Sequence, residues 1–207
     1  MIKTAVVTGG HAFDVMAFHT LLHSLPEVDP YLQALENLAA DTERVLDQYD
    51  VFVFYNMHTT TPEGKVRATL EQLGQSNQGI VIWHHALLAF PEWKPWSRLV
   101  GIGDRSLQYY HDETLDIEIA DPGHPITAEM APWTMVDETY KMANAGDDSH
   151  ILLTTDHPKS MRTLAWTRQV GQARVFCLES GHDHITFADP NFQTVLGRGI
   201  AWTAHQI

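Results

Sequence analysis

The sequence predicts an α/β fold, a three-layer sandwich whose open sheet is mostly parallel and carries an antiparallel C-terminal hairpin. Two observations predict it: continuously apolar runs alternate with helical segments in the first half, and two strand-like runs flank a tight turn near the C terminus. Continuously apolar, β-branched runs are typical of parallel strands buried on both faces. Strands that alternate with helices are typical of βαβ units. No linker or repeat interrupts residues 1–207, so we expect a single domain.

The first half of the chain provides the predicted parallel strands and the helices between them. The three apolar runs are residues 2–8 (IKTAVVT), 51–57 (VFVFYNM) and 79–83 (GIVIW). Apolar side chains recur at helical spacing in residues 14–25, and the Thr-Pro-Glu sequence at 61–63 is a typical helix start. Together these segments predict the order strand, helix, strand, helix, strand.

The second half departs from this pattern. Residues 114–120 (TLDIEIA) alternate between apolar and polar side chains, as a half-exposed strand does. Residues 163–168 (TLAWTR) and 173–179 (ARVFCLE) flank Gly171, which can adopt the positive φ of a turn, and they predict an antiparallel hairpin. Residues 190–205 predict a last helix.

The composition indicates a protein with a real core and no nucleic-acid or membrane partner. Hydrophobic residues make up 44% of the chain, and the formal net charge of -13 repels phosphate backbones and anionic lipid. No segment approaches the roughly 20 apolar residues that a membrane span requires. Cys177 is the only cysteine, so no internal disulfide can form, and the N terminus does not have the pattern of a signal peptide. We therefore expect a cytoplasmic protein, and the sequence leaves open whether it is a homo-oligomer.

Histidine is unusually abundant, with 13 residues against 13 lysines and arginines together. Ligands of open parallel sheets bind outside the carboxyl ends of the strands, so position separates the candidate site residues from the others. The candidates are Gly10, His11, Asp14, Asn56, His58, His84, His85, Glu138, Tyr140, His182 and Asp183. The histidines expected to be structural or solvent-facing are His19, His23, His111, His124, His150, His157 and His205. GGHAFD lacks the G-x-G-x-x-G spacing of a dinucleotide site.

Several motifs along the chain resemble one protein family. TGGHAFD follows the first strand, YDVFVFYNM contains the second and GIVIWHHA the third, and HPIT, DETY, GQARVFCLESGHD and GIAW continue in the same order. Over almost the whole chain they resemble the ThuA-like proteins. The resemblance implies a flavodoxin-like fold similar to class I glutamine amidotransferases and a role in disaccharide catabolism, trehalose utilisation in particular. The resemblance implies that the site residues of the family correspond to His11, His84, Glu138 and His182. It is weakest in residues 141–162.

The sequence does not support the glutaminase chemistry that such a fold suggests. Glutamine amidotransferases use a cysteine thiolate on the turn after a central strand. Here that turn reads Trp83-His84-His85, and Cys177 lies inside a predicted strand, where a buried structural thiol is usual. The sequence also has no G-x-S-x-G nucleophile turn.

The residues favour an enzyme that acts on a disaccharide or an oxidised (keto) sugar by acid–base chemistry. Imidazole can accept a proton and return it, and a nearby carboxylate orients the ring. We predict His84 as the general acid or base, His182 as its counterpart and Glu138 as the orienting or proton-shuttling carboxylate, with His11 beside them. Substrate contacts are expected from Gly10, Asp14, Asn56, His58, His85, Tyr140 and Asp183.

The segment 86–100 predicts a helix or an irregular cover over the sheet. Its aromatic residues Trp93 and Trp96, together with Tyr140, could form a stacking wall for a sugar ring, although core packing is the more usual role of a tryptophan.

Two alternatives stay open. One is a zinc-dependent enzyme at the same cluster, with His11, His84 and His182 as candidate ligands, although no HExxH helix or cysteine cluster supports it. The other is a non-catalytic carbohydrate-binding or regulatory module.

Overall fold

A nine-stranded mixed sheet is the centre of the computed structural model, which describes residues 1–40 and 42–207. In chain order the strands are β1 (Ile2–Thr8), β2 (Val28–Ala34), β3 (Val51–Phe54), β4 (Gly79–Trp83), β5 (Gln108–Ile119), β6 (Trp133–Lys141), β7 (His150–Thr154), β8 (Thr163–Val170) and β9 (Ala173–Leu178). Their spatial order is β2-β1-β3-β4-β9-β8-β7-β5-β6.

The helices lie between or after these strands. They are α1 (Val15–Ser24), α2 (Leu35–Ala40), α3 (Gly64–Leu70), α4 (Lys94–Val100), α5 (His184–Phe187) and α6 (Pro190–Thr203), with 3₁₀ helices at Thr42–Gln48 and His84–Leu88. The helix expected to start at 61–63 begins at Gly64, and Glu63 occupies its N-cap position without a side-chain hydrogen bond. None of the helices in this described part of the chain combines the length and the apolar character needed to cross a bilayer.

The sheet has a parallel half and an antiparallel half. Strands β2, β1, β3, β4 and β9 are parallel neighbours, and the predicted β8–β9 hairpin is antiparallel. The pairs of β8 with β7, β7 with β5 and β5 with β6 are antiparallel as well. The expectation of a mostly parallel sheet is therefore wrong, and the sheet is mixed. The physical reason is that parallel neighbours need a long crossover connection, whereas β5 to β9 follow one another without crossover helices.

The antiparallel half returns to the carboxyl end of the parallel half. Strand β6 is the last strand in the spatial order, yet its residues bond to the segment that follows β9. The Tyr140 amide donates to Glu179 Oε1 over 2.8 Å, and the Thr186 hydroxyl donates to the Val136 carbonyl over 2.9 Å. The β5–β6 ribbon thus carries its side chains to the edge where ligands of parallel sheets bind.

Apolar cores on the two faces of the sheet hold the three layers together. Along β3, Val51 and Val53 belong to one core and Phe52 and Phe54 to the other, because successive strand side chains point to opposite faces. Helices α1 and α6 cover the first core, and α2 and α4 cover the second. The rigid sheet between them fixes the strand ends that carry the candidate site residues.

Candidate active site

His84 follows β4 directly. Its backbone φ of 52° lies in the left-handed region that non-glycine residues rarely adopt, and it turns the chain from the strand into the 3₁₀ helix. The ring is fully buried, and Nδ1 donates to the carbonyl oxygen of Glu179 over 2.6 Å. The proton of the neutral ring therefore lies on Nδ1, which leaves Nε2 free to accept a hydrogen bond or to bind a metal ion.

The Nε2 atom of His84 faces three polar groups from distant parts of the chain. The Tyr140 hydroxyl lies 3.0 Å away, Glu138 Oε2 3.2 Å and His182 Nδ1 3.3 Å. The Tyr140 ring also stacks on the His84 ring, with 4.9 Å between centroids and 22° between planes. The structure therefore brings together four of the residues that the sequence selected.

Glu138 is the common partner of the two imidazoles, since its Oε2 also lies 3.2 Å from His182 Nδ1. Burial would raise the pKa of Glu138, but hydrogen bonds with His182 and His84, and the charges of both rings, lower the pKa below its usual value. The hydrogen bond with Glu138 raises the pKa of His182. Glu138 is accordingly a carboxylate, and His182 takes up a proton more readily than an isolated histidine.

A β-bulge brings a further group, His111, to the same carboxylate. The register of β5 against β6 shifts between Tyr110 and Glu113, so that His111 and Asp112 together lie opposite Glu138. His111 Nδ1 lies 3.3 Å from Glu138 Oε1, the carboxylate oxygen that faces away from His84. Asp112 has a φ of 55°, which makes the irregularity possible.

Asp137 holds the loop that carries His182. Its Oδ2 accepts a hydrogen bond from the Gly181 amide over 2.7 Å, and its Oδ1 accepts from the amides of His182 over 3.1 Å and Glu138 over 2.9 Å. Burial raises the pKa of Asp137. Gly181 has a φ of +114°, and a Cβ there would collide with Trp83 Nε1, so this turn requires glycine.

His85 and His11 form a separate pair beside the cluster. His85 is buried, and its Nε2 donates to the Tyr55 carbonyl over 2.7 Å. Among the residues that the structure describes, its Nδ1 has no hydrogen-bond partner. Burial, and then the charge of His84, lowers the pKa of His85 to about 2. The exposed His11 ring lies on the His85 ring, with 4.7 Å between centroids. The structure therefore places His11 next to His85, and no contact among the described residues joins it to Glu138 or His182.

Asn56, His58 and Gly10 form a second group at the ends of β1 and β3. The buried Asn56 side chain donates to His58 Nδ1 over 3.1 Å, and its Oδ1 has no partner. At Gly10, which has a φ of +76°, a Cβ would meet the Met57 carbonyl oxygen at 2.6 Å. Glycine is needed there for the close approach of two loops. Within residues 1–40 and 42–207, no hydrogen bond, ion pair or ring contact joins these three residues to His84, Glu138 or His182.

The two aspartates that the sequence selected serve as helix caps. Asp14 Oδ1 accepts from the Ala17 amide over 3.1 Å at the start of α1, and Asp183 Oδ1 accepts from the Ile185 amide over 2.8 Å at the start of α5. Asp183 also lines the cleft beside His182.

The predicted stacking wall is not formed by tryptophans. Trp96 is 0% exposed and its Nε1 donates to the Ala86 carbonyl over 2.9 Å, and Trp93 is 5% exposed. Both belong to the apolar core under the segment that covers the sheet. Only Tyr140 of the three aromatic residues reaches the cluster, where it stacks on His84.

A cleft of about 140 Å³ opens beside Glu138 and His182. It is lined by His111, Asp112, Val136, Asp137, Glu138, His182, Asp183 and Ile185. Four of these residues are acidic and none is Lys or Arg. The cleft is therefore better suited to a neutral or cationic ligand than to an anion.

Sequence reasoning gave no role to three residues of this site. His111 gave no signal because only the bulge turns it towards Glu138. Glu179 ends the return strand of the hairpin, and its backbone carbonyl fixes His84 while its buried carboxyl accepts from the Tyr140 amide over 2.8 Å. Burial raises the pKa of Glu179 well above its usual value. Asp137 could have been found, since it precedes Glu138 in the same polar run.

The fold and the side chains described define an α/β protein with a polar cluster and a cleft at the carboxyl edge of a mixed sheet. The chain belongs to the ThuA family, described as trehalose utilisation, whose model matches residues 14–203. The family description points to a role related to trehalose utilisation. A search of curated proteins finds no significant match.

Solved structures support the fold. A ThuA-like protein of Parabacteroides merdae is 23% identical with a TM-score of 0.80, and the match covers 98% of this chain and 90% of that one. A cytoplasmic protein of Salmonella typhimurium is 11% identical with a TM-score of 0.69, covering 98% and 99%. PurLQS of Thermotoga maritima is 11% identical with a TM-score of 0.63, covering 97% and 98%. At these identities the likeness shows a fold similar to glutamine amidotransferase-like proteins and no more.

Proposed function

We propose that this chain is an enzyme of carbohydrate catabolism whose reaction takes place at His84, Glu138, His182 and Tyr140. One observation carries the proposal: side chains from three distant segments meet around His84 Nε2 at 3.0–3.3 Å. Burying a carboxylate between two imidazoles costs desolvation free energy. Such a group beside a cleft, at the ligand-binding edge of the sheet, is typical of a functional site. The family description supports a disaccharide of the trehalose type, or its keto form, as the substrate.

The chemistry that these side chains can perform without any added group is acid–base catalysis. His182 is the partly exposed imidazole, 26% exposed against 0% for His84, and it lies next to the cleft. It is therefore placed to exchange a proton with a sugar hydroxyl or carbonyl. Glu138 stabilises its protonated form, while His84 and Tyr140 provide the second proton path. No thiol takes part, because Cys177 is buried inside β9 and burial raises the pKa of its thiol, which argues against glutaminase activity.

The direct test is turnover of trehalose and of oxidised (keto) trehalose by the full chain and its variants. His182→Gln and Glu138→Gln preserve size and some hydrogen bonding but remove the proton-transferring groups. We expect each to lower kcat/KM by about 100- to 10,000-fold. His19→Gln is the matched control, because His19 is an exposed histidine on α1 that was not selected as a site residue, and it should retain turnover.

Two results would contradict the proposal. Turnover that is unchanged in both His182→Gln and Glu138→Gln would remove the cluster from the reaction. Calorimetric binding of the disaccharide by the wild-type chain without product from any of these sugars would favour the non-catalytic binding module instead.

A metal-dependent enzyme at the same cluster is the second candidate. The observation that favours it is that two imidazole nitrogens and a carboxylate oxygen face one another among His84, Glu138 and His182. Loss of turnover on treatment with a chelator, and its recovery on addition of zinc, would favour this candidate over metal-free proton transfer.

A further inference from the structure

We infer that His84 Nε2, Glu138 Oε2 and His182 Nδ1 are the three protein ligands of a zinc ion. The three atoms form a nearly equilateral triangle, with sides of 3.2 Å from Glu138 to each imidazole and 3.3 Å between the imidazoles. This inference rests on the second candidate of the proposed function, the metal-dependent enzyme, and names the ion and its three ligands. Metal binding can nevertheless be measured without any substrate.

The size of the triangle fits zinc. Zinc binds histidine nitrogen at about 2.0–2.1 Å and carboxylate oxygen at about 2.0–2.2 Å. In tetrahedral coordination these bond lengths separate neighbouring ligand atoms by roughly 3.3–3.5 Å. The observed sides of 3.2–3.3 Å need to widen by only a tenth or two of an ångström, a change within rotamer freedom. Magnesium and calcium prefer oxygen ligands, so a set with two nitrogens selects against them.

The hydrogen-bond inventory of His84 points the same way. Its Nδ1 proton is committed to the Glu179 carbonyl at 2.6 Å, so in the neutral ring Nε2 is an acceptor. Glu138 Oε2 is an acceptor too, and it faces Nε2 at 3.2 Å, with the His84 side chain 0% exposed and the Glu138 side chain 8% exposed. Two acceptors at this distance repel each other unless positive charge lies close to them, and without a metal ion that charge must come from a proton on His182, whose Nδ1 lies 3.2 Å from Glu138 Oε2. A metal ion supplies that charge without a second proton on the buried ring.

The surroundings of the triangle have the form of an outer shell that orients metal ligands. The Glu179 carbonyl fixes the His84 ring through Nδ1, and His111 Nδ1 lies 3.3 Å from Glu138 Oε1, the oxygen that does not face the triangle. Backbone carbonyls and polar side chains on the far side of metal ligands are the usual means of fixing ligand orientation. The β-bulge at His111 thus has a role, since a regular strand would not turn that ring towards Glu138.

Three protein ligands leave a fourth position open, as in catalytic rather than structural zinc sites. The ligands Glu138 and His182 line the acidic cleft, so a sugar oxygen can reach this position from solvent. Zinc bound there would polarise that oxygen. His84, Glu138 and His182 would then hold the zinc ion and could not transfer protons at the bound atoms. The neighbouring Tyr140 hydroxyl and His111 would transfer protons instead.

The test uses the full chain, freed of metal with a chelator and titrated with zinc alone by calorimetry. We expect one zinc bound per chain, and with cobalt in its place the visible absorption of a tetrahedral complex. His182→Ala and Glu138→Gln should each weaken zinc binding by more than about 100-fold, and His111→Ala by about 10- to 100-fold as an outer-shell change. The double variant His19→Ala/His23→Ala is the matched control, because those rings are an exposed pair on α1 with 4.3 Å between centroids. It should bind zinc as the wild type does.

Two results would overturn the inference. One is the absence of stoichiometric zinc binding by the folded wild-type chain, and the other is zinc binding that survives in both His182→Ala and Glu138→Gln. Circular dichroism of each variant separates loss of the ligand from loss of the fold, and Glu138→Gln is the variant least disturbing to packing. If turnover depends on His182 and Glu138 in a chain that binds no zinc, the zinc inference fails and the proposed function stands. If zinc binds and no sugar is turned over, the zinc inference stands and the proposed function fails.

Discussion

The parallel and antiparallel halves of the sheet contribute to the site in different ways. The parallel half provides His84 and His182, each from the segment directly after a strand buried on both faces. The antiparallel half provides Glu138 and Tyr140 from within a strand, and His111 from a bulge. The first kind of residue is positioned by the regular geometry of strands, and the second by a ribbon that returns over the strand ends. The cluster exists only where the two halves meet.

Asp137 is the residue that joins the halves most directly. It belongs to β6, yet its carboxylate accepts hydrogen bonds from the amides of Gly181 and His182, in the loop after β9. The two halves can therefore be compared by substitutions at three places: Asp137 at the junction, His85 in the buried parallel half and Lys159 at the outer edge of the antiparallel half.

The largest effect on stability is expected from Asp137→Ala. The substitution leaves the buried amides of Gly181 and Glu138, and the amide of His182, without their acceptor, and each unsatisfied N–H costs about 1–3 kcal/mol. We expect a loss of several kcal/mol in the free energy of unfolding, measured by urea denaturation, together with loss of turnover. Asp116→Asn, an exposed change on β5, is the control and should lie within about 0.5 kcal/mol of wild type.

Asp137→Asn sharpens the same comparison, because the amide keeps one oxygen acceptor and turns a donor towards a second N–H. Its cost should lie between those of wild type and Asp137→Ala. An alanine variant as stable as wild type would show that the junction does not depend on this carboxylate.

A smaller, pH-dependent effect is expected at His85 in the parallel half. Its pKa is about 2 in the folded protein, chiefly through burial, against about 6.5 in the unfolded chain. Between pH 6.5 and pH 2 the unfolded state therefore binds a proton at His85 that the folded state does not bind. The buried ring has no effect on the free energy of unfolding above about pH 6.5, and it lowers that free energy as the pH falls towards 2. In His85→Gln the free energy of unfolding should fall less steeply below pH 6.5. Urea unfolding at a series of pH values, with the exposed His19→Gln as control, measures the slopes, and equal slopes for His85→Gln and wild type would refute the assignment.

The smallest effect is expected at the outer part of the antiparallel half, in the pair of Lys159 and Glu113. The nitrogen and oxygen lie 2.6 Å apart, but the lysine side chain is 48% exposed. Solvent screens such a pair, so Lys159→Ala should change the free energy of unfolding by about 0–1 kcal/mol and leave zinc binding unaltered. A loss comparable with that of Asp137→Ala would mean that this edge is as important to the fold as the junction.

The parallel half was the more predictable part. The run GIVIWHH identified β4 and His84 together, since a buried strand delivers the next side chain to the ligand-binding edge. The strand-end reasoning and the family resemblance also put His11 beside His84, but the loop after β1 places the His11 ring on His85 instead. His111 was expected to be structural or solvent-facing because no local pattern marks a bulge. Trp93 and Trp96 were expected either to form a stacking wall or to pack in the core, and the structure places both in the core.

By itself the sequence determined the α/β class and the strand ends that carry His84 and His182, because these follow from apolar periodicity and turn residues within short segments. The resemblance of its motifs to those of the ThuA-like proteins indicated the family. Only the tertiary structure decided that half of the sheet is antiparallel, and that Glu138, Tyr140 and His111 reach those strand ends. The physical reason is that strand order and the path of the β5–β6 ribbon depend on contacts between residues far apart in sequence. A triangle of ligand atoms with sides of 3.2–3.3 Å is set by those contacts and by no local pattern.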